Sequence, residues 1–213
     1  MTPASDTLST SAARRERERR ETRHRILEAA RELFVEEGVE RVTMRAIADR
    51  IAYTPTAIYH HFRDKDALLQ ELCRHDFRAH GAMFARVGRI DDPVERLRKL
   101  GAAYVQFGLE NPSTYRFLFM MPHPVGVDDP GAGNPDEDSY AMLRATVREC
   151  IEAGRFASEY TDPERVAQMC WAACHGIVSL HLNFAEHDWI TWREPRKSGQ
   201  LLCEALVAGM VVK

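Results

Sequence analysis

A chain of 213 residues with 45% hydrophobic and 29% charged side chains has room for one large or two small globular domains and is too apolar for a disordered tail. Its 29 basic and 32 acidic residues leave a net charge of -3, which excludes a strongly basic protein that coats nucleic acid without selectivity. The opening MTPASDTLSTSAA lacks the apolar core of a secretory signal, and no uncharged apolar run reaches the ~20 residues of a bilayer span, so a cytoplasmic protein with no membrane partner is expected. The five cysteines (Cys73, Cys150, Cys170, Cys174, Cys203) are widely spread, odd in number and read as reduced thiols.

Charge is uneven along the chain. Residues 1–80 hold 15 basic and 14 acidic side chains, and the remainder 14 and 18. Arg14, Arg15, Arg17, Arg19, Arg20, Arg23 and Arg25 form a basic run interleaved with Glu16, Glu18 and Glu21. Residues 1–20 are expected to be a flexible basic arm, although interleaved glutamates also suit a solvated helix face.

From Glu21 to Glu37, Ile26, Leu27, Ala30, Leu33 and Phe34 recur at helical spacing, and Gly38 is placed to stop a helix in the left-handed conformation. Thr43 supplies an N-cap for a second helix with Met44, Ile47, Ala48 and Ile51 on one face, so short that neighbours must stabilise it. Thr54 followed by Pro55 caps a third helix, with Ala57, Ile58 and Phe62 pointing inward. Asp64 caps a long fourth helix through Leu68, Leu69 and Leu72 toward Met83 and Phe84. The two central helices have the layout of a helix-turn-helix, whose second helix enters the DNA major groove.

The segment RHRILEAARELFVEEGVERVTMRAIADRIAYTPTAIYHHFRDKDALL resembles the DNA-binding domain of tetracycline-repressor-like (TetR) transcriptional regulators. The likeness rests on the Thr43 cap, Arg45-Ala46-Ile47-Ala48, Ala57-Ile58-Tyr59, the His61-Phe62 pair and Lys65. It implies an all-α protein: a three-helix DNA-binding domain over 21–66, joined by a long helix to a helical ligand-binding and dimerisation domain over 67–213. The DNA-binding residues implied are Thr43, Arg45, Thr54, Pro55, Thr56, Ala57, Tyr59, His60 and Lys65. Thr43 and Lys65 would meet phosphates, and Thr56 at the tip of the third helix would meet base edges. His61 is expected to be structural, packed beside Phe62. One departure is Ala52, where most members of the family have glycine at a turn needing a positive φ.

In the second part, Asp92-Pro93 opens a helix through Leu97, Leu100, Ala103, Tyr104 and Phe107, and Asn111-Pro112 another through Tyr115, Phe117, Leu118, Phe119 and Met120. Residues 122–138 are rich in proline and glycine and predict a long loop, a mobile cover for the regulatory domain. Helical spacing resumes over about Asp136 to Arg155 with Tyr140, Leu143, Val147 and Ile151. After Asp162-Pro163, the stretch MCWAACHGIVSLHLNFA lacks charged side chains and is apolar on every side, so it must be buried on every side, partly by another subunit. A last helix spans about Pro195 to Val211. The family likeness implies that these two helices pair with their symmetry mates in a homodimer, through Gly176, Ser179, Leu180, Asn183, Phe184, Leu202, Leu206 and Met210. Trp171, His175 and Gly176 in WAACHGIVSL resemble a signature of one branch of TetR-like regulatory domains.

Tyr104, Phe107, Tyr115, Phe119, Met120, Met142, Trp171 and His175 are candidates to line an effector pocket, suited to an apolar or aromatic small molecule. The partners implied are a palindromic double-stranded operator, a small-molecule effector and a second copy of the chain. No cofactor or metal is expected. Cys170 and Cys174, four apart beside His175, would suit a thiol or metal sensor, but no third ligand stands at a readable spacing. A helical interaction module that does not bind DNA is a further alternative. No enzyme is expected, since the sequence has no glycine-rich phosphate loop, nucleophile elbow or H-E-x-x-H pair.

Overall fold

A computed structural model describes residues 5–122 and 131–212. Among them the backbone is α-helix joined by turns, with an isolated antiparallel bridge between Phe156 and Val211 and no strand. The all-α expectation holds. The chain divides into two compact units, Met1–Cys73 and Arg74–Lys213.

The first unit contains α1 (Ser5–Glu37), α2 (Met44–Arg50), α3 (Pro55–Tyr59) and the start of α4 (Lys65–Ala85). Helix α1 begins at Ser5 and not at Glu21, so the stretch expected as a flexible arm continues the helix. Interleaved charges account for this: Arg14 meets Glu18 at 2.8 Å, while Arg17–Glu21 and Arg20–Glu16 lie at 3.7 Å, and such i,i+4 pairs favour helix by a few tenths of a kcal/mol each. Gly38 ends α1 at φ +85°, its N–H donating to the Phe34 carbonyl at 2.9 Å, the geometry that a glycine adopts without steric cost.

Ile26, Ala30, Leu33 and Phe34 of α1 are buried, as are Ile47, Ala48, Ile58, Phe62, Leu68 and Leu72 of the following helices and turns. Arginines hold the edges of the unit. The Arg23 guanidinium lies 4.2 Å from the Phe62 ring centroid and donates to the His61 carbonyl at 2.9 Å. Arg50 bridges Glu32 and Glu36 at 3.3 and 2.7 Å.

The second unit contains the rest of α4, a 3-10 turn (Val87–Arg89), α5 (Pro93–Glu110), α6 (Pro112–Phe119), α7 (Ser139–Glu152), α8 (Pro163–Phe184) and α9 (Pro195–Met210). Asp92, Asp138 and Asp162 each cap a helix by accepting from backbone N–H groups, satisfying donors that the first turn leaves open. Asn111 does not cap α6. Its amide donates back to the Phe107 carbonyl at 3.1 Å and closes the end of α5. A core of Val94, Leu97, Val147, Cys150, Val166, Ala167, Cys170, Val207 and Met210 joins α5, α7, α8 and α9.

Of the loop expected over 122–138, residues 123–130 lie outside the described residues. Residues 131–138 form tight turns in which Asn134 bonds to Gly131, and Glu137 and Asp138 bond to Asn134. Gly81 admits this segment to the side of α4: a Cβ there would stand 2.4 Å from the Glu137 carbonyl oxygen.

Candidate functional site

Two surfaces concentrate polar chemistry, one in each unit. In the first, the Thr43 and Thr54 hydroxyl oxygens cap α2 and α3 by accepting from the Ala46 and Ala57 N–H groups at 3.1 and 3.3 Å. A capping oxygen accepts, so each hydroxyl proton remains to donate outward. Thr43, Arg45, Thr54, Thr56, Tyr59 and His60 are exposed, Tyr59 at 53% despite its size, while Pro55 and Ala57 are half-buried. Ile58 turns into the core between them. The α2–α3 turn therefore presents threonine, tyrosine, histidine and arginine side chains together on solvent. Arg45 is held loosely, 3.8 Å from Asp49.

Lys65 is placed differently from a lone phosphate-binding cation. Its ammonium donates to the Val39 carbonyl at 2.9 Å and the Glu40 carbonyl at 3.5 Å, tying the start of α4 to the turn after α1. His61 is half-buried, its Nδ1 is buried with no partner, and burial holds its pKa below the usual histidine range.

In the second unit a cavity of about 280 Å³ is lined by Phe77, His80, Phe84, Tyr104, Leu118, Phe119, Glu137, Asp138, Ser139, Tyr140, Leu143 and Trp171. Behind its wall runs a chain of hydrogen bonds. Trp171 Nε1–H donates to the Tyr104 hydroxyl at 2.8 Å, Tyr104 donates to the Tyr115 hydroxyl at 3.1 Å, and Tyr115 meets His175 Nδ1 at 2.7 Å. His175 Nδ1 also lies 3.4 Å from the Tyr104 hydroxyl, and which oxygen donates to it follows from the imidazole tautomer. Burial lowers the His175 pKa and raises those of both tyrosines, Tyr104 to about 12.

Of the residues expected to line a pocket, Tyr104, Phe119 and Trp171 do so. Tyr115 and His175 stand behind the wall and act through hydrogen bonds. Phe107, Met120 and Met142 are not in the lining: the Phe107 ring lies 4.7 Å from that of His80, Met142 faces Gly88 of the 3-10 turn, and Met120 stands at the end of α6. Phe77, His80 and Phe84 were legible as one face of α4 by their i, i+3, i+7 spacing. Glu137, Asp138 and Ser139 were not, because a turn has no period to read.

His80 is the unusual member of the wall. It is 2% exposed, its Nδ1 lies 2.9 Å from the Ser139 hydroxyl, and its Nε2 is buried without a partner. Burial among Phe84, Phe107 and Phe119 pushes its pKa down to about 4, against a smaller upward pull from Asp138. A buried polar atom left unpaired costs about 1–3 kcal/mol.

Cys170 and Cys174, the pair that would suit a sensor, are not the two cysteines whose sulfurs meet. All five are buried and outside any disulfide, and the sulfur beside Cys174 is that of Cys203 at 3.6 Å. Burial raises the Cys170 thiol to about 12, which opposes thiolate chemistry. Among the described residues no group of three or more His, Cys, Asp and Glu side chains could hold a metal ion.

Within the single chain, one side of α8 and of α9 stays exposed. Met169, Leu180 and Phe184 of α8 and Leu201 of α9 are exposed, Leu180 at 49% and Leu201 at 56%. Gly176, Ser179, Leu202 and Leu206 are half-exposed and Asn183 exposed along the same helices. Met210 departs from expectation: at 1% exposure it belongs to the unit's own core, where α9 ends against Phe156. Among the described residues no helix is long and apolar enough to cross a membrane.

A helix-turn-helix with a polar tip, followed by a helical unit that encloses an aromatic cavity, is the construction of a ligand-sensing regulator. Profiles of known families agree. Residues 26–72 match the bacterial regulatory proteins of the tetR family, and residues 97–194 match the tetracyclin repressor-like C-terminal domain, together more than half of the chain. The chain belongs to the tetR family of bacterial regulatory proteins. It is 43% identical over 68 residues to the HTH-type transcriptional repressor Rv1474c of Mycobacterium tuberculosis, covering 32% of this chain and 36% of that protein. It is 44% identical over 90 residues to the HTH-type transcriptional regulator UidR of Escherichia coli K12, covering 42% and 40%. The chain thus spans less than half the length of these relatives. The structure of SmeT, the repressor of the Stenotrophomonas maltophilia multidrug efflux pump SmeDEF, superposes with a TM-score of 0.65 over 90% of this chain and 91% of that one, at 23% identity, and SmeT has also been solved in complex with triclosan.

Proposed function

We propose that the protein is a cytoplasmic, sequence-specific transcriptional repressor that binds a palindromic operator as a homodimer and releases it when a small apolar or aromatic molecule fills the cavity of its second unit. The observation that carries this reading is the cavity itself: an aromatic enclosure in the regulatory unit of a chain whose other unit exposes a helix-turn-helix. In that reading Thr43 and the first amides of α2 contact phosphate, while Thr56, Tyr59 and His60 approach base edges and set sequence preference. Arg45, Thr54, Pro55 and Ala57 flank them. Lys65 contributes by fixing the turn that carries Thr43 as well as by its charge.

The Trp-His-Gly signature fits the same reading. Trp171 and His175 sit at the two ends of the hydrogen-bonded chain behind the cavity, and Gly176 lies on the half-exposed side of α8. That SmeT represses an efflux pump and has been seen with triclosan supports an aromatic effector here by analogy. Coupling requires that the effector favour one of two conformations, and α4 is the element through which both units are joined in the chain.

The test is selection of bound duplex from a randomised pool with the full chain. A palindromic site with half-site centres about one helical turn apart, roughly 34 Å, or a multiple of it is expected. Thr56→Val should then change base preference, and Thr43→Val should weaken binding evenly across sequences. Failure to enrich any sequence, or binding with no salt dependence, would overturn the reading.

A further inference from the structure

Helix α1 is longer than the core it serves. Among the described residues none before Ile26 is buried. The helix nevertheless runs back to Ser5, so at 1.5 Å per residue its exposed part projects about 30 Å beyond Ile26. Its direction is fixed where it leaves the core. Arg25 donates to the Tyr53 hydroxyl and the Ile51 carbonyl, both at 3.4 Å, just before α3. Arg23 donates to the His61 carbonyl just after α3, and pairs with Glu71 at 3.4 Å. Helix α1 is thereby tied to both ends of α3, whose exposed side carries Thr56, Tyr59 and His60.

The charges on the projection are sorted by face. Steps of three and four residues connect Leu33, Ala30, Ile26, Arg23, Arg19 and Arg15 along one side of the helix. The side that is apolar within the core thus becomes cationic where the helix leaves it. Arg14, Arg17 and Arg20 lie on other sides, and each is paired with a glutamate. Arg15 bonds to the Ser11 hydroxyl at 3.3 Å, and among the described residues neither it nor Arg19 has an ion pair, although both are exposed. Arg19 is close enough to His61 that its charge, after burial, helps to hold that imidazole below the usual histidine range. Unpaired guanidinium groups aligned on the side that α3 occupies match an anionic surface running past α3. A duplex with α3 in its groove presents one, because its phosphates continue on either side of the bases that are read.

We infer that the projecting part of α1 is a second DNA-contact element, in which Arg15 and Arg19 meet backbone phosphates of the operator flank beyond the bases reached from α3. This rests on the DNA-binding reading proposed above, and adds a contact that contributes affinity and register without base preference.

The test uses the full chain and the operator selected from the randomised pool. Arg15→Gln with Arg19→Gln keeps good helix formers and leaves the three ion pairs of the projection in place. Arg14→Gln with Arg17→Gln removes the same charge from the other sides. The first double variant should bind roughly ten-fold or more weakly at about 0.1 M salt, by the same factor for every operator variant, and its slope of log K against log salt should be shallower by about 3–4 for a dimer that loses four phosphate contacts. The second should change binding far less, and Arg15→Lys with Arg19→Lys should retain it, since a phosphate accepts either cation. Ethylation of phosphates flanking the half-sites should interfere with the wild type and not with the Arg15→Gln, Arg19→Gln protein. An equal loss in both glutamine variants would mean bulk attraction and overturn the contact, as would an unchanged salt slope or flanking phosphates that tolerate ethylation. If the wild type enriches no duplex sequence, the DNA-binding reading itself fails, and this inference with it.

Discussion

Ala52 holds a left-handed conformation at φ 57° in the turn between α2 and α3, the position at which a non-glycine residue with positive φ occurs among the described residues. A Cβ in that region meets its own backbone, at a cost of roughly 1–2 kcal/mol. The turn is kept by its bonds: Tyr53 N–H donates to the Ala48 carbonyl at 2.9 Å and Ala52 N–H to Asp49 at 3.2 Å. Ala52→Gly should therefore stabilise the first unit by about 0.5–1 kcal/mol, after allowing for the greater entropy of glycine in the unfolded chain. Urea denaturation checks this, and an unchanged or lower midpoint contradicts the strain. At the same scale, His80 is neutral when folded, with a pKa of about 4 against 6.5 for an ordinary histidine. Between those values the unfolded chain binds the extra proton, so the stability of the second unit falls as pH drops through 6.5 toward 4. The loss from His80 alone is about 2 kcal/mol between pH 7 and pH 5, with His175 shifted in the same direction. Denaturation midpoints at the two pH values should differ accordingly, and the difference should shrink in His80→Phe.

Among the elements, those with strong local signals were legible in the sequence. A capping residue before proline marked the starts of α3, α5 and α8, because a side-chain acceptor and a fixed φ are both local properties. Asn111 shows where that logic ends: it precedes proline as the others do, yet its amide serves the preceding helix. The apparent Cys170–Cys174 pair fails for a similar reason. Four-residue spacing places two sulfurs on one face, but the packing of α9 on α8 decides that Cys174 meets Cys203. With every thiol buried, iodoacetamide should leave the native protein unlabelled and modify the cysteines only when the chain is unfolded in guanidinium. Rapid labelling of Cys170 or Cys174 in the native state would revive the sensor reading.

For the whole molecule, the apolar sides of α8 and α9 argue for a second copy of the chain. Leu180, Phe184 and Leu201 are too exposed to serve this chain's own core, and a side chain added at Gly176 or Gly209 would meet nothing within 4 Å, leaving both positions open to close approach. A homodimer that covers this surface would carry two recognition helices, as a palindromic operator requires. Leu180→Glu together with Leu201→Glu should yield a folded monomer by analytical ultracentrifugation and lose operator binding. A wild-type monomer at micromolar concentration contradicts the proposal.

By itself the sequence determined the helices, the α2–α3 turn and the family, because caps, glycine stops and the 3.6-residue period act over a few neighbouring residues. It also limited the total charge, and so excluded a protein that holds nucleic acid by bulk attraction. Tertiary structure alone decided where Arg23 and Arg50 go. Arg50 pairs with glutamates of α1 and Arg23 holds the helix-turn-helix to α1, so a net charge of -3 says little about what the exposed α2–α3 surface can bind. It decided the cavity as well, since Phe77, Tyr104, Ser139 and Trp171 come from four helices far apart in the chain, and no local pattern records that Ser139 will occupy one nitrogen of His80 and leave the other without a partner.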